Sequence, residues 1–307
     1  MEIHMLQFKT ITLCDKEWVD KIVFSEDSPS ADYNFGNIYI WDKSFRQLVC
    51  PFEGRMMTKL RYEGHPSFAF PIGSGPLRPA IEALREFAAF KGYPFRLHGV
   101  TDKHRAQLEE EYPGGFEFTE DTDYADYIYS AEKLATYAGK ALHGKKNHCN
   151  RFEAEHEWRF VPLDRALIPG CLDMLDVWTE ENAERLEASI SAEHDAIIRA
   201  FAAYERLGLE GGVLLSEGKI LGFTVGEMIS SDTFDVHFEK AEGSINGAYP
   251  MVCRELARMM LAKHPNLRYL NREDDMGLEA LRFSKQSYKP EYLLKKYTAL
   301  WTGRADA

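Results

Sequence analysis

The sequence predicts an α/β (α+β) fold built from two similar units, each a mixed, mostly antiparallel sheet flanked by helices. Three observations carry this. One order of elements (helix, antiparallel strands, helix, strand, helix, strand) can be read twice along the chain. The 307 residues suit about two domains of about 100–200 residues each. A composition of 45% hydrophobic and 28% charged residues is that of a globular chain able to bury a core. The predicted division is a first unit over 1–130, a connecting segment over 131–170 and a second unit over 171–307.

In the first half, Trp18, Val19, Ile22 and Val23 form an apolar stripe that predicts a helix over 15–24, capped by Asp15. Strand-like runs follow at 37–41, 45–49, 56–62 and 67–71. The breaker PIGSGP (71–76) precedes a helix over 77–91, with Ile81, Leu84, Phe87 and Ala88 at helical spacing and Gly92 as its stop. A strand over 95–100, a helix over 102–111 capped by Asp102, and two closing strands complete this half. Ser130 caps a short helix ending at Gly139.

The second half opens with helices over 171–188 and 192–207, the latter ended by Gly208. Residues 211–230 read as two strands turning at Glu217-Gly218, and 233–241 as a third. Pro250 marks the first turn of the next helix, whose buried stripe is Val252, Leu256, Met259 and Met260. A strand at 268–273, a helix over 277–288 and one final strand over 292–301 follow.

Charge and motifs narrow the function. The net charge of −12 excludes a protein that coats nucleic acid over its whole surface. Acidic stretches at 109–126 and 173–195 hold eight acids each, so the remainder is slightly basic. Two basic strings stand out. Residues 140–151 carry Lys140, Lys145, Lys146 and Arg151. Residues 281–296 carry Arg282, Lys285, Lys289, Lys295 and Lys296. They point to an anion site and leave room for a local basic groove. No apolar run of about 18 residues predicts a membrane span, and the N-terminus has no signal-peptide pattern. The five cysteines include no C-x-x-C pair, which predicts reduced thiols in a cytoplasmic protein. His143 and His148 are five apart, off one helix face, and no H-E-x-x-H occurs, so no metal is predicted. There is no P-loop, and the S-x-x-K at Ser130–Lys133 lacks its partner motifs.

Three strings hold chemistry. In Asp235–Lys240, strand alternation puts Phe234, Val236 and Phe238 on one face and Asp235, His237 and Glu239 on the other. The second face is either a general-base site or a solvated strand surface. Gly243–Tyr249 leads into the Pro250 helix, whose first turn offers N–H groups to an anion. Asn271–Gly277 places three acids before a helix carrying Arg282 and Lys285 on one face, with Tyr288 at its end.

Together, HGKKNHCNRF (143–152), HFEKA (237–241) and NREDDMGLEALRFSKQSYKP (271–290) resemble the family of bacterial proteins similar to the C-terminal domain of phosphatidylglycerol lysyltransferase. The resemblance implies two tandem GNAT-like domains and transfer of an acyl or aminoacyl group, from charged tRNA or acyl-CoA, to an amine or hydroxyl acceptor such as a lipid or peptide amine. It implies Glu239 or His237 as base and Tyr288 as acid. Lys145, Lys146, Arg151, Arg282 and Lys285 are the implied donor-phosphate residues, joined at the donor or anion site by His143, Asn147, Lys240, Asn246, Gly247, Ala248 and Tyr249. Asn271, Glu273, Asp275 and Ser287 complete the candidates. Of the usual acetyltransferase pyrophosphate loop only Gly247-Ala248 remains. That departure supports the alternative, a catalytically silent GNAT-like module binding an anionic ligand.

Overall fold

The chain follows the predicted order for most of its length and departs from it at both ends. The computed structural model describes residues 6–62, 64–182 and 187–303. Strand β1 (Lys9–Thr10) leads to helices α1 (Lys16–Glu26), α2 (Phe35–Ile40) and α3 (Asp42–Phe45). Strands β2 (Leu48–Phe52), β3 (Arg55–Tyr62), β4 (His65–Ala69) and β5 (Ile72–Gly73) precede α4 (Leu77–Lys91). Then come β6 (Arg96–Thr101), α5 (Asp102–Glu111), β7 (Phe116–Glu120) and β8 (Asp126–Ser130). The chain continues through α6 (Ala131–Thr136), α7 (His143–Glu155), β9 (Trp158–Pro162), α8 (Ile168–Asn182), α9 (Glu187–Ala202) and α10 (Tyr204–Leu207). It ends with β10 (Glu210–Ser216), β11 (Lys219–Met228), β12 (Thr233–Ala241), α11 (Ala248–Lys263), β13 (Tyr269–Asn271), α12 (Glu279–Ser287), β14 (Tyr292–Leu294) and β15 (Lys296–Trp301).

Several local readings are corrected. The run at 37–41 is helical, because Asn34 Oδ1 accepts the Asn37 N–H at 2.6 Å and starts α2 there. Its Ile38 and Ile40, both buried, only mimic strand alternation. The strand predicted at 45–49 begins at Leu48, after α3 and a left-handed Arg46. Asp15 does not cap α1; its carboxylate turns back to Thr12 and Trp18. Thr101, not Asp102, caps α5. Ser130 caps α6 as predicted, but that helix stops at Thr136. The basic string over 140–151 lies largely on α7. Residues 183–186 of the helix predicted over 171–188 lie outside the described residues.

The chain forms two units, 1–126 with 294–307, and 127–293. These bounds differ from the predicted ones. The supposed connecting segment supplies α6, α7 and β9 to the second unit, and the last strand belongs to the first. The single strand predicted over 292–301 is two, with β14 in one sheet and β15 in the other. In the first unit the sheet order is β1-β2-β3-β4-β6-β15-β7, with β5 beside β3. β15 pairs antiparallel with both β6 and β7, filling a slot that the N-terminal strands leave open. Its Tyr297 and Ala299 are buried. Lys296 enters with it, bonded to Asp32 at 2.8 Å and Asp126 at 2.7 Å, so this lysine of the second basic string is structural.

In the second unit the order is β14-β8-β13-β12-β11-β10-β9, and from β8 to β9 the pairs are antiparallel except that β12 and β13 run parallel. Helix α11 packs on this sheet. It buries Met251, Val252, Cys253, Leu256, Ala257 and Met260 against Phe234 and Val236 of β12 and Leu214 of β10. No helix among the described residues is long and apolar enough to cross a membrane.

Candidate active site

The site arises where two neighbouring strands of the second unit part. β12 and β13 pair through Thr233–Tyr269, Phe234–Leu270 and Asp235–Asn271. Beyond that point Arg272 and Glu273 stay with the β8 side: the Arg272 N–H donates to Tyr127 O, and the Tyr127 N–H to Glu273 O, each at 3.1 Å. β12 instead continues along β11 to Ala241. Side chains from 236–241 and from 272–273 therefore face a widening gap.

A β-bulge sets which side chains line it. Val225 pairs with Phe238 and Gly226 with Val236, leaving His237 as an extra residue in β12. Gly226 permits the close approach, since a Cβ there would stand 1.9 Å from Asp235 O. The extra residue reverses the alternation. Phe234, Val236 and Ala241 join the α11 core, but Phe238 does not. Glu239 thereby moves to the α11 face, away from Asp235 and His237. This corrects the expectation that Asp235, His237 and Glu239 share one face. Neither group is a solvated strand surface: Asp235 and His237 are buried, and only 7% of the Glu239 side chain is exposed.

On the α11 face, Arg272 Nη2 donates to Glu239 Oε1 at 2.7 Å. The Arg272 guanidinium lies 4.6 Å from the Tyr288 ring centroid, and Lys145 Nζ of α7 lies 3.7 Å from the same centroid. Lys285 Nζ donates to the Arg272 and Glu273 carbonyls, and Tyr129 Oη to the Lys285 carbonyl at 2.8 Å. Burial pushes the Glu239 carboxyl up, against the opposing pull of Arg272, Lys285 and Lys145. Burial, then the Arg272 charge, lowers Lys145. Burial holds the Tyr288 phenol well above its ordinary value, so it stays protonated. Arg272 Nη1 and Thr224 Oγ1, the latter on the residue that pairs with Glu239, are buried without a hydrogen-bond partner. Two cations, a carboxylate and these unsatisfied groups suit a ligand carrying both oxygen and an amine.

The other face holds a different cluster. His237 Nε2 lies 3.1 Å from Glu227, and Nδ1 lies 3.2 Å from Asp235 and 3.4 Å from Glu273. Burial alone would lower His237. The Asp235, Glu227 and Glu273 carboxylates outweigh it and raise the imidazole well above its ordinary value. Both ring nitrogens of His237 are thus engaged by carboxylates, whereas Glu239 lies on the α11 face apart from them. Burial and the Asp235 charge push Glu273 up to about 7.

The sequence profile of the family described as phosphatidylglycerol lysyltransferase, C-terminal, matches residues 26–300. The chain belongs to this family. A conserved protein of unknown function from Bacteroides thetaiotaomicron VPI-5482 is 36% identical, with a TM-score of 0.91 over 97% of this chain and 100% of that one. The C-terminal domain of a putative lysylphosphatidylglycerol synthetase from Agrobacterium fabrum shares the fold at 13% identity, TM-score 0.65, over 95% and 94% of the chains. So does L-PGS from Bacillus licheniformis, at 16% identity, TM-score 0.60, over 96% and 93%. An uncharacterized protein of Mycoplasmoides gallisepticum is 25% identical over 177 residues, 56% of this chain and 54% of that protein, so the match spans about half of that relative. Membership supports a transferase-like role on this fold of two mostly antiparallel sheets flanked by helices.

Within this family frame the structure sorts the remaining candidates. Of the charged and polar candidates on α7 only Lys145 turns inward. His143, Lys146, Asn147, His148 and Arg151 are exposed; Arg151 pairs with Glu155 at 2.8 Å, and Asn147 bonds His143 at 3.3 Å. The first turn of α11 offers an anion fewer N–H groups than its sequence suggests. The Ala248 and Met251 N–H groups are already bonded to Ile245 O and Gly247 O, and Pro250 has none. Helix α7 also sits against this turn: a Cβ on Gly247 would lie 2.5 Å from His148 O, and Asn246 bonds His148 at 2.7 Å. Tyr249 Oη accepts the Trp178 indole N–H at 3.0 Å. Lys240, on the face away from α11, pairs with Glu193 at 2.7 Å and covers Trp178.

Arg282 is committed to Asp275, which it grips through two bonds of 2.9 Å; Asp275 also accepts from Tyr127 Oη at 2.6 Å. Asn271 accepts the Glu273 N–H at 2.7 Å, and the half-buried Ser287 bonds Ser284 O. These groups shape the loop after β13. Sequence reasoning passed over Arg272, Thr224, Tyr129 and Glu227 as site residues. The available signal was the position of Arg272, the first residue beyond a parallel strand at a parting.

Proposed function

We propose that the second unit transfers an acyl or aminoacyl group from an activated donor, charged tRNA or acyl-CoA, to an amine or hydroxyl acceptor. The observation that carries this reading is the convergence of Glu239, Arg272, Lys145 and Tyr288 beside the gap between β12 and β13. Glu239 takes a proton from the acceptor as its nitrogen or oxygen attacks the donor carbonyl carbon. Arg272 Nη1 and Lys145 face the oxyanion that forms, and preorganised cations of this kind provide large stabilisation in a water-poor site. The bond from carbon to the leaving oxygen or sulfur then breaks, and that atom takes a proton. Lys145, lowered by burial and by Arg272, is the better placed donor of that proton. Tyr288 is 3% exposed, and burial holds its hydroxyl protonated well above the ordinary phenol range. Its ring serves as the floor of the site. This reading places the protein in the cytoplasm, where both donor classes are made.

The test is an incubation of the purified protein with labelled aminoacyl-tRNA or acetyl-CoA and a panel of amine and lipid acceptors. Label should pass to an acceptor, and Glu239→Gln should abolish that transfer while leaving the fold intact. Unchanged turnover in Glu239→Gln would remove Glu239 as base.

A second reading, a silent module binding an anionic ligand, is favoured by one observation. Glu239 is already engaged by Arg272 at 2.7 Å. Saturable binding of tRNA or CoA with no transfer to any acceptor would select it. For tRNA, that binding should weaken steeply with salt.

A further inference from the structure

The cluster on the face away from α11 takes no part in the transfer reading, and its chemistry calls for a cation. Asp235, His237 and Glu273 each present one ligand atom, all within 4.8 Å of one another. Behind the histidine, Glu227 lies 3.1 Å from Nε2. That arrangement, a carboxylate accepting the far N–H of an imidazole, is the usual means of fixing the tautomer of a metal-binding histidine. With Nε2 as the donor, the Nδ1 lone pair faces two carboxylate oxygens, at 3.2 and 3.4 Å. Lone pair against carboxylate is repulsive unless a positive charge lies between them.

A proton on Nδ1 meets this need poorly. One N–H shared between two acceptors makes only a weak three-centre bond, whereas a charge-assisted N–H···O bond to a single acceptor normally closes to about 2.7–2.9 Å. An ion bound at about 2.0–2.2 Å by each ligand, at tetrahedral or octahedral angles, sets ligand atoms about 2.8–3.6 Å apart. Both Nδ1 distances fall in that interval. The Asp235 side chain is fully buried, whereas Glu273 is 23% exposed, which gives an ion a way in and a coordination position open to solvent. One imidazole with carboxylates suits zinc or manganese better than calcium.

We propose that Asp235, His237 and Glu273 bind one divalent transition-metal ion of the zinc or manganese kind, with Glu227 orienting His237. Sequence spacing hides this site, since its histidine and acids match no metal motif. Two ligands come from β12 and the third from beyond β13, so the ion ties the two strands together where they part. It thereby fixes the segment carrying Arg272. The site stands whether or not the second unit transfers an acyl group.

The full chain, stripped with chelator, is titrated calorimetrically with Zn2+ and with Mn2+, and its metal content is measured after dialysis. One ion per chain is expected. Glu273→Gln, at the most exposed ligand, should abolish uptake with an unchanged circular dichroism spectrum. Asp235→Asn should do the same, and the measurement rests on Glu273→Gln if the buried variant fails to fold. Glu227→Gln should keep the stoichiometry and weaken affinity by about 10–100-fold. Glu217→Gln, at an exposed turn, should change nothing. Uptake that survives Glu273→Gln would overturn the proposal. So would a nitrogen-15 spectrum in excess Zn2+ showing both His237 nitrogens protonated.

Discussion

Arg272 and Glu239 form an ion pair at 2.7 Å in which the side chains are only 14% and 7% exposed. The pair links the two strands across their gap, so it is both part of the fold and part of the candidate site. Removing one partner of a buried pair leaves an uncompensated charge, which costs about 3–5 kcal/mol. Arg272→Met is therefore expected to lower the urea midpoint strongly. Glu239→Gln keeps an acceptor for the guanidinium and should cost less. Equal losses in the two variants would show that the pair is screened by water.

Lys145 and Lys146 are adjacent and differ in role. Lys145 covers Tyr288 at 3.7 Å, whereas Lys146 is exposed. Lys145→Met should reduce transfer, or donor binding if the module is silent, by at least about tenfold, since a desolvated cation beside a developing charge is worth more than 1 kcal/mol. Lys146→Met should change either by less than about twofold. Titrating tRNA and CoA against both variants decides it. Similar effects would restore the broad basic groove read from the sequence.

The fold was legible because long amphipathic stretches report their own state. Helix α4 occupies Leu77–Lys91 with Ile81, Leu84 and Ala88 buried and Gly92 left-handed, as its spacing implies. What the sequence hides is mostly non-local. Nothing within 292–301 marks that Leu293 and Tyr297 serve different sheets, because strand partners are chosen by tertiary contact. The bulge at His237 is equally silent in sequence, yet it moves Glu239 to the opposite face. Candidate residues were found by type, and their partners were not. Arg282, Lys240 and Arg151 look alike as cations in a string, but each is held by its own carboxylate.

Arg282 gives a direct test of that distinction. It grips Asp275, whose side chain is 2% exposed, while Arg282 itself is 39% exposed. Arg282→Met should lower stability by about 1–2 kcal/mol, the scale of losing hydrogen bonds to a charged group at a partly solvated site. Donor affinity of the folded variant should not change. A loss of affinity without a loss of stability would return Arg282 to the ligand.

Gly247 joins α7 to the start of α11 at φ +91°. A Cβ there would meet His148 O at 2.5 Å and Phe152 Cβ at 3.0 Å. Gly247→Ala adds backbone strain to a clash with another helix's backbone, so about 2–4 kcal/mol of destabilisation is expected. Because α7 carries Lys145, hydrogen exchange over 143–155 should rise in the folded variant. Unchanged protection there would show that α7 does not depend on this contact.

The first unit should be acid-labile in two steps. Burial, then the Arg96 charge, lowers His98 from 6.5 to about 4. Burial alone would raise Glu26, but hydrogen bonds from His104, Lys103 and the Gly73 N–H bring it from 4.5 to about 2. In both cases the unfolded chain holds the proton more tightly. Their stabilisation is complete above the unfolded value and is lost as pH falls through the folded one. The His98 contribution should therefore fade between pH 6.5 and about 4, and the Glu26 contribution between 4.5 and about 2. Each is worth at most about 3 kcal/mol, from a shift of about 2.5 units. Hydrogen exchange of first-unit peptides against pH reads this directly. Glu26→Gln should flatten the lower step and leave the upper one, and His98→Phe should do the reverse. A single step that neither variant alters would place the acid sensitivity elsewhere, with the buried Lys296–Asp126 pair as the next group to test.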